Sequence, residues 1–385
     1  GNSDANGVGN FFNAVPSGFL ALVDDNIPVE GINAPDWVWI KNRSTDNVSN
    51  VLQDSVRGMG ANGVNFSSLI TNSNTAEFDQ TDADGVNRLD FQGFTVGYTN
   101  STAFNQVSET YVAWMWKAGG APTVDNSAAA DAAPTAGSVK IDGANKTDAF
   151  SGSPSAAVTR LSASTVAGFS IVTFAGSSSN VTLPHGLSSA PEFITVRRRN
   201  EDSSNWFTYH KGAQSSGAIV GYLNTPTNGY DFGASSTVFQ DTQPTDNVFS
   251  LGNSNANKTG DTYVAYCFHS VEGYSKFGSY IGSSNLTFVY LGFRPAWVLF
   301  KRTDGGDSQA NGWFLLDTKR DTANVMTEFL RPNTDDDEDT AANSIADFLS
   351  NGFKLRGTGG DVNTNGANYI YLAFAEAPFK FANAR

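Results

Sequence analysis

Three segments of the chain repeat one pattern of hydrophobic and basic positions. Each opens with a proline, continues through aromatic and β-branched residues, and closes on basic residues; they span 35–43, 191–199 and 295–303. Runs of this composition are typical of β-strands. Three copies in one chain predict a single structural unit that is used three times.

Two further strand patterns follow each proline at nearly constant distances. Phe94, Phe249 and Phe353 lie about 58 residues after their prolines, within Gly/Phe strands. Segments 110–116, 262–268 and 368–374 share a Tyr-Val-Ala-like pattern about 74 residues after them. Because apolar side chains occupy odd and even positions of this last strand, we expect it to be a central strand covered on both faces or a strand that lines an interface.

The strands are short and separated by Gly-, Asn- and Ser-rich turns, which predicts an all-β chain of tandem antiparallel β-sandwich, or jelly-roll, repeats. One helix candidate, 340–349, is predicted to form a short turn at most. The predicted division is an N-terminal strand segment 1–34, repeat 1 at 35–120, an Ala/Ser/Thr-rich linker or overlaid strand at 121–166, repeat 2 at 167–275 and repeat 3 at 276–385.

Composition argues against several classes of partner. The net charge of −14 and the pI near 4.5 disfavour nucleic acid, because phosphate binding depends on clustered Lys and Arg. There is no apolar run of about 18 residues, so insertion into a membrane is not expected. The single cysteine, Cys267, lies inside a strand pattern and is predicted to be a buried apolar residue.

Residues that could support catalysis or bind zinc are few and scattered. The three histidines, His185, His210 and His269, do not have the spacing of a zinc site, and structural roles are favoured for them. Asp54, Asp317 and Glu376 are the carboxylates to consider for a glycosidase. Because Asp54 and Asp317 each precede an arginine by three residues, ion pairs are favoured over a catalytic pair. We predict no enzyme activity.

Two acidic stretches are weak candidates for Ca²⁺, which prefers oxygen ligands. Their residues are Asp82, Asp84, Asp335 and Asp337. Neither stretch completes a twelve-residue EF-hand loop, so a hairpin turn and a solvated loop are the favoured interpretations. No other cofactor is predicted.

Aromatic residues beside variable loops are the candidates for sugar binding, since exposed rings stack on the apolar faces of pyranoses. They are Trp206, Tyr209, Tyr230 and Trp313. Basic residues near the ends of the proline-led strands, such as Lys41, Arg43 and Lys301, predict an outward sheet face paired with acidic residues of a neighbouring strand or protomer.

Several of these segments resemble a known family. Residues 35–43, 111–120, 168–172, 271–280 and 373–379 are similar to repeated domains in tail-fibre-like virion proteins of marine and cyanobacterial bacteriophages. Residues 11–19 resemble the closing piece of a SPRY-like domain, which usually precedes these repeats. The resemblance implies concanavalin-A-like or laminin-G-like sandwiches on the exterior of a virion, with recognition of host-surface glycans. It carries over no catalytic residues.

The sequence therefore predicts a non-enzymatic virion fibre or appendage that attaches to host-surface polysaccharide. Its partners would be other virion proteins and further copies of itself, with a homotrimer as one option. Two alternatives stay open: a purely structural virion component, such as a capsid decoration or tail protein, and a polysaccharide depolymerase. Because strand patterns are kept while loops vary, binding is expected in the stretches 59–86, 200–245 and 303–345.

Overall fold

The computed structural model is nearly all β, with antiparallel sheets that form sandwiches, and it confirms the predicted fold class. It describes residues 34–60, 63–79, 84–90, 93–97, 101–213, 219–225, 233–234, 237–283, 285–304, 312–340, 345–357 and 362–376. The predicted N-terminal strand segment, 1–34, therefore lies outside the described residues except for Ala34. No helix in these ranges is long and apolar enough to cross a membrane.

Repeat 1 is built on a four-stranded sheet of order β3-β2-β1-β6 and a hairpin β4-β5. The strands are β1 (Trp37–Asn42), β2 (Val51–Asp54), β3 (Leu69–Ile70), β4 (Val86–Asp90), β5 (Gly93–Val96) and β6 (Tyr111–Trp116).

Repeat 2 has a nine-stranded sheet of order β15-β14-β13-β12-β17-β10-β9-β7-β8, covered by the pair β11-β16. The strands are β7 (Val139–Ile141), β8 (Ala144–Asn145), β9 (Arg160–Ser164), β10 (Phe169–Ala175), β11 (Val181–Pro184), β12 (Phe193–Arg198), β13 (Phe207–His210), β14 (Ile219–Tyr222), β15 (Gly233–Ala234), β16 (Val248–Leu251) and β17 (Thr262–Phe268). The 3₁₀ turn Lys211–Ala213 follows β13.

The predicted linker 121–166 contributes three of these strands. β9 pairs with β10, and β7 runs parallel to β9. Val139, Leu161 and Ala163 are buried in the repeat 2 core, which explains why this segment is ordered against the sheet. Of the two expectations for this segment, the strand laid over a neighbour describes 139–164 better than the linker does.

Repeat 3 has a four-stranded sheet of order β18-β26-β20-β21, faced by β19-β25-β24, with a short pair β22-β23. The strands are β18 (Ser275–Ile281), β19 (Phe288–Tyr290), β20 (Pro295–Arg302), β21 (Trp313–Asp317), β22 (Glu328–Phe329), β23 (Asp339–Thr340), β24 (Ala346–Leu349), β25 (Gly352–Leu355) and β26 (Asn368–Ala375).

The helix candidate at 340–349 is wrong where the structure describes it. Residues 346–349 form β24, which pairs with β25. Ala346 and Phe348 alternate into the core, and this period of two is satisfied by a strand and not by a helix.

The three repeats share one design. The proline-led strands β1, β12 and β20 each pair with the tyrosine-containing strands β6, β17 and β26. On the far side of β17 and β26 lie β10 and β18, whereas no strand occupies that position beside β6 among the described residues.

Each of these sheets is buried on two faces, as the pattern of the tyrosine-containing strands predicts. One face packs on its own second layer, in separate cores for repeats 1, 2 and 3. The opposite faces meet in one shared cluster, named here the central core. Its aromatic members are Trp37, Trp39, Trp114, Trp116, Phe169, Phe193, Trp206, Tyr266, Phe268, Phe277, Trp297, Trp313 and Phe374. The repeats are therefore packed around a common centre.

Candidate functional site

The rings predicted to stack on sugar are buried where the structure describes them. Trp206 directly precedes β13 and Trp313 is the first residue of β21. Both side chains enter the central core, while Tyr209 lies in the repeat 2 core. This corrects the prediction of an exposed platform at these residues. Tyr230 lies outside the described residues.

The two buried indoles instead connect neighbouring repeats. The Trp206 Nε1–H donates to the carbonyl oxygen of Ile70 in repeat 1 at 3.0 Å, and Trp313 Nε1–H donates to that of Tyr222 in repeat 2 at 3.0 Å. Asn50 holds the equivalent position in repeat 1, and its Nδ2 donates to the carbonyl of Thr334 in repeat 3 at 2.7 Å. Repeat 2 thus binds repeat 1, repeat 3 binds repeat 2, and repeat 1 binds repeat 3. This is a closed head-to-tail ring within one chain.

The sixth residue after each opening proline is a buried cation, and it also donates a hydrogen bond to a neighbouring repeat. Lys41 Nζ donates to the carbonyl of Asp335 at 3.0 Å, and Lys301 Nζ to that of Thr225 at 3.4 Å. The Arg197 guanidinium donates to the carbonyl of Thr75. Burial lowers the pKa of Lys41 to about 8 and that of Arg197 to about 10.

These three cations correct the prediction of an outward, carboxylate-paired face. All of them are buried, because the neighbouring repeat covers this end of the strand. Their partners are main-chain carbonyls in the neighbouring repeat, which need donors once they are removed from water.

The arginines two residues further on do pair with acidic residues of a neighbouring unit. Arg43 Nη2 lies 2.6 Å from Glu338 Oε1 in repeat 3, and Arg199 Nη2 lies 2.7 Å from Glu77 Oε1 in repeat 1. The matching residue in repeat 3 is Thr303.

Asp54 and Asp317 lie at the same junctions, each in a buried ion pair. Arg57 Nε is 2.5 Å from Asp54 Oδ2, and Arg320 Nε is 2.6 Å from Asp317 Oδ2. The two arginines also reach Glu77 and Glu338, at 2.9 and 2.6 Å. Burial opposes charging of Arg57, but Asp54 and Glu77 raise its pKa above the ordinary value.

Each of these aspartates also accepts a hydrogen bond from a side chain of a neighbouring repeat. The Tyr266 hydroxyl of repeat 2 donates to Asp54 Oδ2 at 2.6 Å, and Trp114 Nε1–H of repeat 1 donates to Asp317 Oδ2 at 3.2 Å. Both carboxylates are therefore held by an arginine and a neighbouring repeat, which is the geometry of a structural junction.

His210 replaces the aspartate in repeat 2. Its Nδ1 accepts from the amide N of Gly212 at 2.9 Å, and its Nε2 lies 3.1 Å from the carbonyl oxygen of Tyr371 in repeat 3, to which it donates. Repeat 3 has Leu372 where Tyr266 and Trp114 stand, and a leucine side chain cannot donate the corresponding hydrogen bond. Burial lowers the pKa of His210 to about 4, consistent with a neutral ring.

The other candidate catalytic groups also have local structural partners. His185 Nε2 lies 3.0 Å from the carbonyl of Thr245, and burial lowers its pKa to about 4. His269 Nδ1 lies 2.9 Å from the carbonyl of Ser270, and Glu376 pairs with Arg294 at 2.8 Å.

The acidic stretches do not assemble a metal site within the described part of the chain. No group of three or more His, Cys, Asp or Glu side chains there could hold an ion. Asp82 lies outside the described residues, and Asp84, Asp335 and Asp337 belong to no such group. The Asp335 carbonyl accepts hydrogen bonds from the Val48 amide and Lys41 Nζ, so this residue is part of the repeat 1–repeat 3 junction.

Sequence analysis missed the exposed aromatic residues of repeat 3. Phe288 and Tyr290 on β19 are 45% and 60% exposed. The available signal is the alternation of Leu286, Phe288 and Tyr290 with Thr287 and Val289, which places the three larger side chains on one face of a strand.

Comparisons with known proteins place the chain in a family. The model of the family described as "Domain of unknown function (DUF7483)" matches residues 24–151 and 143–378. The chain belongs to this family. No curated protein matches it. Among solved structures, the major capsid protein P2 from bacteriophage PM2 matches at 9% identity and a TM-score of 0.19, over 55% of this chain and 100% of that chain. This likeness is too distant to carry an argument about fold or function.

Proposed function

We propose that this chain is a non-enzymatic component of the exterior of a bacteriophage particle, a fibre or similar appendage, and that it helps attach the particle to host-surface glycans. The observation that carries the proposal is the closed ring of three sandwiches around one central core. A ring of this kind is a rigid block that leaves variable loops at its surface, and such loops on rigid scaffolds commonly carry binding.

Two features of the sequence support the phage assignment. The segments that resemble tail-fibre-like virion proteins extend through all three repeats. The same segments supply the strands of the ring, so the resemblance concerns the architecture itself. The acidic charge of −14 suits a protein that works at a particle surface without binding nucleic acid.

Attachment is tested with the purified chain and an antibody raised against it. We expect the antibody to label the outside of intact particles in electron micrographs, and the soluble chain to compete with particles for adsorption to host cells. Labelling confined to the inside of the capsid, or labelled particles whose adsorption the chain never inhibits, would count against attachment.

The second candidate is a purely structural virion protein. The burial of Trp206, Tyr209 and Trp313 favours it, because the rings expected to bind sugar hold the protein together instead. External labelling without competition for adsorption would support this candidate over attachment.

A depolymerase would require free carboxylates, whereas Asp54 and Asp317 are engaged in ion pairs. We expect no reducing ends when the chain is incubated with host polysaccharide. If sugar is released, Asp54→Asn and Asp317→Asn variants show whether those carboxylates are responsible. Loss of release without loss of thermal stability would establish an enzyme and contradict the proposal.

A further inference from the structure

Repeat 3 presents an exposed face on its outer sheet, named here the β19 face and formed by Leu286, Phe288, Tyr290 and Lys354. Phe288 and Tyr290 are the strongly exposed aromatic residues in the described part of the chain, and Leu286 is 45% exposed. Val289, between them, is buried in the repeat 3 core. From Leu286 to Tyr290 the strand direction covers about 13 Å, which is the length of a short oligosaccharide.

Glycines, which have no side chain, lie next to both rings. Gly352 stands directly across from Tyr290 on β25, and a Cβ there would lie 3.1 Å from Phe288 Cζ and closer still to the Val289 carbonyl. Gly292 has φ +90°, and a Cβ there would lie 3.7 Å from the Tyr290 hydroxyl. A side chain at position 352 would crowd the Phe288 ring, whereas a Cβ at position 292 would make an ordinary van der Waals contact with Tyr290 and is disfavoured by its positive φ.

Two lysines flank the rings. Lys354 is directly opposite Phe288 on β25, and Lys276 Nζ lies 5.3 Å from the centroid of the Tyr290 ring. Lys276 donates to the Tyr290 carbonyl at 2.8 Å. Among the ion pairs of the described residues, neither lysine has a carboxylate partner. Asp347, which lies on β24 directly opposite Lys354, pairs instead with Arg356.

The sandwich fold does not require aromatic and basic residues at these positions. Superposing the strand registers of repeats 2 and 3 puts Thr182 and Pro184 where Phe288 and Tyr290 stand, and Ser250 where Lys354 stands. In repeat 2 the Ser155 hydroxyl and amide also bind Thr182, so residues before β9 cover this face. Repeat 3 has aromatic and basic residues at a surface that repeat 2 fills with small, covered ones.

We propose that the β19 face binds an acidic polysaccharide. The apolar faces of its sugar rings would stack on Phe288 and Tyr290, and its carboxylates would bind the ammonium groups of Lys354 and Lys276. Local charge selects this ligand, because Lys354 and Lys276 flank the rings without a carboxylate partner among the ion pairs of the described residues, and such a basic pair attracts an anionic sugar even on a protein whose net charge of −14 opposes its approach. The inference rests on the proposed function, for which it supplies a site and a ligand class.

The probe is tetragalacturonate, with maltotetraose as its neutral counterpart, in titrations at low salt. We expect tetragalacturonate to bind more tightly than maltotetraose and to weaken as salt is added. Tyr290→Ala is expected to lower its affinity about five- to tenfold, and Lys354→Gln is expected to remove the preference for the acidic probe. Val107→Ala and Lys319→Gln, at exposed positions away from the face, serve as controls.

Equal binding of the two probes, no binding of either, or full affinity in Tyr290→Ala would overturn the inference. Self-association of the native chain that Tyr290→Ala abolishes would overturn it in favour of an interface between copies. Competition for host adsorption separates the two proposals. If the Tyr290→Ala variant competes for host adsorption as well as the native chain does, the attachment proposal stands and the proposed binding site on the β19 face is contradicted. If the native chain binds tetragalacturonate but never competes, the site stands and attachment fails.

Discussion

Asp54 and Asp317 show how far a single residue can be interpreted from its sequence neighbours. An aspartate three residues before an arginine predicts an ion pair, and both pairs are present. Their other partners, Glu77, Tyr266 and Trp114, are distant in sequence and could not be predicted, because they depend on how the repeats pack.

Arg57→Met is expected to lower the free energy of unfolding by about 3–5 kcal/mol. The substitution leaves Asp54 buried without its cation, and that desolvated charge is costly. Chemical denaturation at neutral pH measures the loss. Arg160→Met, which removes a pair with Asp125 whose carboxylate side chain is 64% exposed, is the control and should cost less than about 1 kcal/mol. Equal costs for the two variants would contradict a junction role for Arg57.

His210 makes stability depend on pH. Because its folded-state pKa is about 4 and the unfolded value is near 6.5, the unfolded chain binds the proton more readily between these values. Its contribution is complete above pH 6.5 and is lost as the pH falls through 4, at a cost of about 3 kcal/mol. His210→Asn keeps an acceptor and a donor without titrating. We expect its unfolding free energy to fall less than that of the native protein between pH 7 and 4.5.

At the level of elements, the strands could be predicted well and their partners only in part. The proline-led and tyrosine-containing segments form the central strands of each repeat. By contrast, 340–349 suggested a helix and contains β24, because Ala346 and Phe348 face a core that local sequence does not reveal.

Trp313→Phe tests the contact between β21 and β14. Removing the indole N–H leaves the partly buried Tyr222 carbonyl without this donor, so we expect it to cost about 1–3 kcal/mol more than Trp297→Phe. Trp297 is the matched control, since its Nε1 has no hydrogen-bond partner in the described structure. The difference in unfolding free energy between the two variants is the measurement, and no difference would argue against the contact.

At the level of the whole molecule, the three repeats form a ring that shares its largest aromatic cluster. Tandem repeats in sequence are compatible with separate domains joined by linkers. The structure instead closes the third repeat onto the first, through Asn50, Lys41 and Arg43.

We therefore expect a single unfolding transition for the intact chain, with a calorimetric enthalpy equal to the van't Hoff enthalpy. A fragment spanning 121–272 should fail to fold as a monomer, because it exposes its share of the central core to water. Separate transitions, or a stable monomeric fragment with native-like near-UV circular dichroism, would contradict a shared core.

The sequence by itself determined that the chain is all β, that it contains three copies of one sandwich, and that their central strands are covered on both faces. These are local properties, carried by composition, alternation and spacing. Only the tertiary structure decided what covers them. Trp206 and Trp313 are core residues and Phe288 and Tyr290 are exposed because burial depends on which repeat packs against each strand, and that contact joins residues far apart in the chain.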